Sequence, residues 1–196
     1  MGNENSTGYP SGYQNMLPDN NLEANSDVET KKKFYTYDRI HELVREGYSE
    51  LESIGFNPDY IVAIGGGGLI PARILRTYLN VPVLVITVKT YEENSHTPNE
   101  IPTMIQNFDI DLIKNKNILV VDEVDDTRKT LTYVLHNIYQ QLEQDNDVLL
   151  ESTNLGIFVI HNKKREKEID FRDETLYIAC EETDGDTWIE YPWDHK

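Results

Sequence analysis

The sequence predicts an α/β fold, with a central, mostly parallel sheet and helices on both of its faces. Residues 118–121 are four consecutive apolar residues, most of them β-branched, which is typical of a strand buried on both faces. An amphipathic helix over Tyr37–Ile54 precedes a second apolar strand, Tyr60–Ile64, and each strand is followed by a polar loop and another helix. Alternating elements of this kind build parallel sheets whose ligands bind at the carboxyl ends of the strands.

The composition suits a single soluble domain with extensions. The 196 residues include 18 Lys+Arg against 35 Asp+Glu, a net charge of -17, which argues against a nucleic-acid or anionic-membrane partner. Cys180 is the single cysteine, and no apolar leader is visible at the N-terminus, so we expect a cytoplasmic protein without disulfides. Residues 1–33 are polar and without apolar period, and we expect a disordered N-terminal tail before a domain spanning 34–196.

The first half of the domain contains a glycine loop between a strand and a helix. The Tyr37–Ile54 helix is expected to end at Gly55, and the Tyr60–Ile64 strand runs directly into four glycines. Four residues without side chains let the backbone approach a polyanion closely, whereas a structural turn needs only one or two. A helix is expected to resume near Pro71, which places an anion site at a helix start.

A strand over residues 81–88 is followed by Thr90, Tyr91 and a polar stretch that reaches Met104. This stretch has neither helical nor strand periodicity. Long polar loops in compact domains are commonly functional, so we expect a lid.

Two acids, Asp122 and Glu123, follow the buried apolar run and precede the loop DDTRKT, after which helical periodicity resumes. The helix start favours a phosphate, and Thr127 and Thr130 are candidate caps for its first turn. Lys129 adds a further donor. The acids would repel a phosphate, but as acceptors they suit a vicinal diol or a magnesium ion. A diol beside a phosphate suggests a sugar phosphate.

Other interpretations of this motif are weaker. An apolar run ending in Asp-Glu also occurs in Walker B strands, but the glycines are not followed by Lys-Ser/Thr, as a P-loop requires. An aspartyl-phosphate nucleophile would be followed by Asp-x-Asp, and Val124 occupies the place of the second acid. A purely structural acidic loop remains an alternative.

The second half carries a strand over residues 155–160, a basic run, a short strand over 177–180 and the C-terminal stretch DTWIEYPWDHK. Taken alone, the basic run indicates a solvated loop. The tryptophans alone indicate hydrophobic clamps on the domain.

Three motifs in order resemble those of type I phosphoribosyltransferases of the purine-salvage branch. VVDEVDDTRKT resembles the family's ribose-phosphate signature, and AIGGGGLIPARILR resembles its pyrophosphate loop. TWIEYPWD resembles the purine-binding segment of fungal hypoxanthine-guanine and microbial xanthine-guanine enzymes. Together they cover residues 34–193, and the resemblance implies the family's fold, in which the termini and the C-terminal segment add a small hood.

The resemblance implies a role for each matching residue. Asp126, rather than its neighbour Asp125, would be the general acid or base at N7 of the purine. Lys163 would read the exocyclic oxygen of the purine, with Lys164 as the alternative. Arg128 stands where many members have glycine, and we interpret it as a branch trait that adds charge near the phosphate.

The remaining sites are also implied by the resemblance. The ribose hydroxyls and the metal would be held by Asp122 and Glu123, with Asp194 as a further metal ligand. The 5′-phosphate would bind at Asp126, Thr127, Arg128, Lys129 and Thr130, and pyrophosphate at Gly65, Gly66, Gly67 and Gly68, with a cis peptide among them. Thr90 and Tyr91 would open the lid, Trp188 would stack on the base, and Ile189 would offer backbone groups to its edge.

The reaction implied is magnesium-dependent transfer of the phosphoribosyl group from 5-phosphoribosyl 1-diphosphate to a 6-oxopurine. Hypoxanthine and/or guanine would give IMP or GMP, and xanthine would give XMP. Related enzymes are dimers or tetramers, so a homodimer or homotetramer is expected. Two alternatives stay open: a xanthine-preferring enzyme, and a non-catalytic regulator that binds the diphosphate.

Overall fold

The computed structural model describes residues 31–91, 98–144, 152–172 and 175–194. Strands and helices alternate along most of the chain, as the sequence predicts. The helices are α1 (Tyr37–Ile54), α2 (Leu69–Leu79) and α3 (Lys129–Glu143), and a short 3₁₀ helix covers Ile110–Ile113. The strands are β1 (Lys32–Phe34), β2 (Tyr60–Ile64), β3 (Val83–Tyr91), β4 (Pro98–Gln106), β5 (Asn117–Asp125), β6 (Asn154–Lys164), β7 (Leu176–Asp184) and β8 (Trp188–Glu190).

The central sheet has six strands in the order β4-β3-β2-β5-β6-β7. All neighbours pair in parallel except β3 and β4, which are antiparallel, so the predicted mostly parallel sheet is confirmed. After β2 the chain moves outward to β3, and after β5 it moves outward in the other direction to β6. The carboxyl ends of β2 and β5 therefore form the crevice in which open α/β sheets bind their ligands.

Helices cover both faces of this sheet. Leu119 and Val121 of β5 pack in one core cluster with residues of α1 and α2. Ile118 and Val120 pack in the opposite cluster with residues of α3. A strand buried on both faces explains the unbroken apolar run from which the sheet was predicted. Among the described residues, no helix is long and apolar enough to cross a membrane.

A second, two-stranded sheet forms the expected hood. Strands β1 and β8 pair in parallel, with Lys32 opposite Trp188 and Phe34 opposite Glu190. The backbone N–H of Trp188 also donates to the carbonyl oxygen of Lys31 at 2.8 Å. Lys32 and Lys33, which the sequence assigned to the tail, therefore belong to a strand. Residues 1–30 of the predicted tail lie outside the described residues.

Strand pairing extends one predicted strand and adds another. Backbone pairing with β6 carries β5 past the acid pair, with Asp122 opposite Val159 and Asp125 opposite Asn162. Residues 98–104, expected as part of a lid without regular structure, belong to β4 at the edge of the sheet. An edge strand is paired on one side only, which accommodates polar residues without strand periodicity. Residues 92–97 of the predicted lid lie outside the described residues.

Candidate active site

A cavity of about 310 Å³ lies at the carboxyl ends of β2 and β5. It brings together three groups of residues that the sequence assigned to one site: part of the glycine loop, the acid pair and the loop before α3. Its walls are formed by Ile64, Gly65, Gly66, Gly67, Val88, Asp122, Glu123, Val124, Asp126, Thr127, Arg128, Lys129, Thr130 and Leu131.

The glycine loop approaches the acid pair closely. A β-carbon added at Gly67 would overlap the carboxyl group of Glu123, and Gly66 has a φ of 106°, a conformation that favours glycine. Gly68 lies behind the cavity wall, where a β-carbon would stand 2.5 Å from the carbonyl oxygen of Val121. The predicted cis peptide is wrong, because no peptide bond among the described residues is cis. The glycines are required here for close packing.

The acid pair lies within β5 and is partly desolvated. Asp122 is 7% exposed, and its burial together with the neighbouring charge of Glu123 raises the pKa of its carboxyl group well above the usual value. The backbone N–H of Glu123 donates to Oδ1 of Asp122 at 2.9 Å. The buried Oε2 of Glu123 has no hydrogen-bond partner among the described residues. A buried acceptor without a donor at the wall of a cavity suits a ligand that brings its own donor or cation.

The loop after β5 leads directly into α3. Arg128, with a φ of 73°, precedes the first helical residue, Lys129, and no side chain caps the helix. The expectation that Thr127 or Thr130 caps this helix is therefore wrong. Because the first backbone N–H groups of a helix have no intrahelical acceptor, the helix presents free donors and the positive end of its dipole to the cavity. This geometry favours an anion.

The adjacent residues Asp125 and Asp126 have different surroundings. Asp125 is fully buried and accepts hydrogen bonds from Nε and an Nη of Arg128 at 3.1 and 3.0 Å and from the hydroxyl of Tyr177 at 3.0 Å. Asp126 lines the cavity and pairs with Lys163 and Arg165, each at 3.0 Å. Asp125 thus has its hydrogen-bonding partners inside the protein, whereas Asp126 is accessible to a ligand.

The contacts of Arg128 do not match the expectation that it adds charge near a phosphate. Its guanidinium binds Asp125 and lies 4.0 Å from the ring centroid of Phe171, and its side chain is only 12% exposed. The positive φ of Arg128 is a conformation that glycine adopts more readily than arginine. The charge of its guanidinium is paired with that of Asp125.

Sequence reasoning missed the basic residues that enclose this loop. The ammonium group of Lys167 donates to the carbonyl oxygens of Asp125 and Asp126, each at 2.8 Å, and of Lys163 at 3.0 Å. The backbone N–H of Glu168 donates to the carbonyl oxygen of Thr127 at 3.1 Å. The basic run after β6, interpreted from sequence as mostly solvated, thus packs around the loop before α3. Its alternation of Lys, Arg and Glu carried no signal for these long-range contacts.

The predicted purine-binding residues do not line this cavity, but Lys163 contacts a residue of its wall. Lys163 contacts Asp126 directly, whereas Lys164 is 61% exposed and pairs with Glu182. Trp188 is 55% exposed in β8 and Ile189 is buried. Asp194 is exposed, and its backbone N–H donates to the carbonyl oxygen of Tyr191. Thr90 and Tyr91 are the last two residues of β3.

The sheet, the two loops and the cavity define a class of protein. They form an α/β protein with an anion-binding crevice at the carboxyl edge of a parallel sheet, lined by glycines on one side and by a helix start on the other. Two carboxylates stand between these anion-binding elements.

Comparisons with known proteins identify the family. A family model described as the phosphoribosyl transferase domain matches residues 34–143. A hypoxanthine-guanine phosphoribosyltransferase of Schizosaccharomyces pombe is 40% identical over 191 residues, covering 85% of this chain and 91% of that protein. Xanthine phosphoribosyltransferase 1 of Saccharomyces cerevisiae is 33% identical over 193 residues, covering 85% of this chain and 91% of that protein. The chain belongs to the phosphoribosyltransferase family.

Solved structures agree with this assignment. Purine phosphoribosyltransferase from Pyrococcus horikoshii superposes with a TM-score of 0.61 at 25% identity, over 84% of this chain and 95% of that chain. A crystal structure of a hypothetical protein from Neisseria gonorrhoeae with bound ppGpp superposes with a TM-score of 0.68 at 32% identity. The match covers 86% of this chain and 92% of that chain. The predicted fold and family resemblance are therefore confirmed.

Proposed function

We propose that this protein is a purine-salvage enzyme that transfers the 5-phosphoribosyl group from 5-phosphoribosyl 1-diphosphate to a 6-oxopurine. Hypoxanthine and guanine are the proposed bases, and the products are IMP or GMP together with pyrophosphate. The observation that carries the proposal is the single cavity that joins the glycine loop, Asp122, Glu123 and the loop before α3. The names of the curated relatives support the choice of a purine base.

The three parts of the cavity suit the three parts of the sugar diphosphate. The N-terminus of α3, with Thr127, Lys129 and Thr130, suits the 5′-phosphate through free N–H groups and side-chain donors. The backbone of Gly65, Gly66 and Gly67 suits the diphosphate, since these residues line the cavity and have no side chains of their own to keep a ligand from the main chain. The carboxylates of Asp122 and Glu123 lie between these two anion sites and suit the ribose hydroxyls. Gly68 is proposed to act through the turn it builds behind the cavity.

In the proposed reaction the bond between C1 of the ribose and the diphosphate oxygen breaks, and a bond from C1 to N9 of the purine forms. Asp126 is proposed to hold and exchange the proton at N7 of the base. Lys163, 3.0 Å from Asp126, is proposed to donate from its ammonium group to the exocyclic oxygen of the same base. Preorganised donors around the leaving group would stabilise the charge that develops on it.

The residues present fit a magnesium ion that arrives with its substrate. Among the described residues there is no cluster of three or more potential ligand side chains, but Glu123 has a buried carboxylate oxygen without a donor. Magnesium is commonly held by one or two carboxylates together with substrate phosphates and water. Asp122, Glu123 and Asp194 are the residues proposed to hold it. When bound, the ion would neutralise charge on the diphosphate.

Contacts with the base are proposed for the hood. Trp188 is proposed to stack on the purine and Ile189 to offer backbone groups to its edge. Thr90 and Tyr91 are proposed to open a lid over the diphosphate.

A cytoplasmic location and a homodimeric or homotetrameric assembly complete the proposal. Light scattering during gel filtration tests the assembly.

The test is a steady-state assay with magnesium and 5-phosphoribosyl 1-diphosphate, in which hypoxanthine, guanine, xanthine and adenine are offered separately. We expect turnover of one or more 6-oxopurines but not of adenine. An Asp126→Ala variant run alongside is expected to lose turnover while retaining binding of the diphosphate. Saturable binding of the diphosphate without turnover of any purine would contradict the enzyme and favour a non-catalytic regulator.

A preference for xanthine is the second candidate. Its support is the similarity to xanthine phosphoribosyltransferase 1 of S. cerevisiae, which covers as much of the chain as the hypoxanthine-guanine relative. The same assay separates the two, because the ratio of kcat/KM for xanthine to that for hypoxanthine ranks the bases directly.

A further inference from the structure

The hydroxyl of Tyr191 joins the hood to the acid pair. It donates to the carbonyl oxygen of Glu123 at 3.0 Å and lies 2.8 Å from Nδ1 of His161. Both side chains are buried, Tyr191 being 4% exposed and His161 fully enclosed. A phenol has one proton, and a carbonyl oxygen can only accept, so Nδ1 of His161 must carry the proton that it donates to Tyr191.

This arrangement requires both groups to be uncharged. Burial lowers the pKa of His161 to about 4, and burial together with the charge of Glu123 raises the pKa of Tyr191 well above its usual value. Both side chains are therefore neutral near pH 7. The resulting chain runs from the N–H of His161 to the hydroxyl of Tyr191 and on to the Glu123 carbonyl.

The two ends of this chain belong to different parts of the proposed site. Tyr191 directly follows β8, which carries Trp188 and Ile189, and its ring stacks on Trp193 with centroids 4.7 Å apart and planes 7° from parallel. Glu123 lines the cavity, where its carboxyl group packs against Gly67. A displacement of the segment after β8 is therefore transmitted to the backbone of a residue in the sugar site.

We infer that Tyr191 is a positioning residue, whose hydroxyl fixes the position of the Glu123 backbone relative to the purine segment of the hood. The inference rests on the proposed function, because it needs a base bound at the hood and a sugar bound at Glu123. Binding of the base at the hood would then also fix the position of the Glu123 carboxylate that faces the sugar. Tyr191 contacts neither substrate in this account and acts through Glu123.

Tyr191→Phe isolates this role, since it keeps the ring and its stacking on Trp193 and removes one hydroxyl. The matched control is Tyr35→Phe. Tyr35 is 5% exposed, its ring centroid lies 4.3 Å from that of His161, and its hydroxyl donates to Glu181 at 2.6 Å. The control thus removes a buried hydroxyl from the same aromatic cluster, but one that is not bonded to Glu123.

The experiment compares wild type, Tyr191→Phe and Tyr35→Phe in turnover of hypoxanthine, in binding of magnesium 5-phosphoribosyl 1-diphosphate without base, and in thermal unfolding. We expect Tyr191→Phe to lower kcat/KM for hypoxanthine about 10-fold, the size of a typical coupling between sites. Binding of the diphosphate alone should change less than about 2-fold, because its phosphates are held by the two anion-binding loops. The two variants should lower the melting temperature by similar amounts, because each removes one buried hydroxyl. Tyr35→Phe should leave kcat/KM within about 2-fold of wild type.

Equal kinetics in the two variants would overturn the inference. A second variant, His161→Leu, keeps Tyr191 and removes the donor that orients its hydroxyl. We expect it to lower kcat/KM by about 3-fold, a smaller change in the same direction. Unchanged kinetics in it would also contradict the inference if Tyr191→Phe does not fold. Absence of turnover in the wild type would overturn the proposed function and, with it, this inference, whereas normal wild-type turnover confines any failure to the role of Tyr191.

Discussion

The carboxyl group of Glu123 occupies the space that a side chain at Gly67 would fill. A β-carbon at Gly67 would overlap the carboxyl carbon and both carboxyl oxygens of Glu123. This contact joins the loop after β2 to the end of β5, across the two strands that frame the cavity. A side chain at position 67 would therefore have to displace the Glu123 carboxyl group.

Gly67→Ala should therefore displace Glu123 and impair the enzyme while leaving the fold intact. We expect kcat/KM for 5-phosphoribosyl 1-diphosphate to fall at least about 10-fold, since misplacement by about 1 Å costs up to about 100-fold. Gly156→Ala is the control, because its β-carbon would approach the side chains of Phe56 and Leu176 no closer than 3.3 Å, away from the cavity. Equal activity of both variants would show that Glu123 needs no fixed position.

Substitution of Asp126 should lower activity, whereas substitution of Asp125 should lower stability. Asp126→Asn removes the proposed acid or base, so we expect kcat to fall about 10²- to 10⁴-fold with little change in the free energy of unfolding. Asp125→Asn removes the buried charge that pairs with the guanidinium of Arg128, whose other ion pair, with the exposed Asp170, is longer at 3.7 Å, and should cost about 3 kcal/mol in unfolding free energy. Activity assays and urea denaturation of both variants make the comparison. The roles are reversed if Asp125→Asn is the more stable but the less active protein.

Glu181 should make the stability of the hood depend on pH. Burial opposes ionisation of Glu181, but hydrogen bonds from Lys33, Tyr35 and Arg39 outweigh it and lower the pKa from 4.5 to about 2. Because the pKa is lower in the folded state, the stabilisation is fully present above about pH 5.5 and is lost as the pH falls through 4.5 towards 2. It amounts to at most about 3 kcal/mol at neutral pH.

Urea denaturation of the wild type and Glu181→Gln between pH 7 and pH 2.5 measures this contribution. We expect the difference in unfolding free energy between them to shrink as the pH falls. Glu182→Gln is the control, since Glu182 pairs with Lys164 in solvent and such pairs contribute less than about 1 kcal/mol. A constant difference between wild type and Glu181→Gln would mean that the carboxylate charge is not the cause.

Local patterns predicted much of the fold and the outline of the site. The bounds of α1 and β2 follow from apolar periodicity and from Gly55, which ends α1 with a φ of 79°. The glycine loop and the acid pair were found because both directly follow buried apolar runs. Such signals depend on residues close together in the sequence, so periodicity and turn chemistry suffice to find them.

Contacts between distant residues were not predictable in this way. The strand β1 exists because it pairs with β8, with Lys33 opposite Ile189, since two lysines and a phenylalanine carry no strand pattern by themselves. The guanidinium of Arg128 pairs with Asp125 because that buried carboxylate requires a partner, a requirement visible only once burial is known. Lys167 and Tyr191 were missed for the same reason, since their partners lie on other elements of the fold.

Lys163 and Lys164 are adjacent, but Lys163 contacts Asp126 whereas Lys164 pairs with Glu182, so we propose Lys163 as the residue that recognises the base. Its side chain is 12% exposed and its ammonium group lies 3.0 Å from a carboxylate oxygen of Asp126, whereas the side chain of Lys164 is 61% exposed. If Lys163 donates to the exocyclic oxygen of the purine, Lys163→Met removes one charge-assisted hydrogen bond. Such a bond contributes about 1.5 to 3 kcal/mol, so kcat/KM for hypoxanthine should fall about 10- to 100-fold.

The preference for hypoxanthine over adenine, compared between Lys163→Met and Lys164→Met, is the sharper readout. The preference for hypoxanthine over adenine should shrink in Lys163→Met, because the donor that selects an oxygen over an amino group is gone. Lys164→Met removes an equal charge from the same strand and should leave both kcat/KM and the preference within about 2-fold of wild type. Steady-state assays with the two bases decide between the lysines, and a larger loss in Lys164→Met would assign base recognition to Lys164.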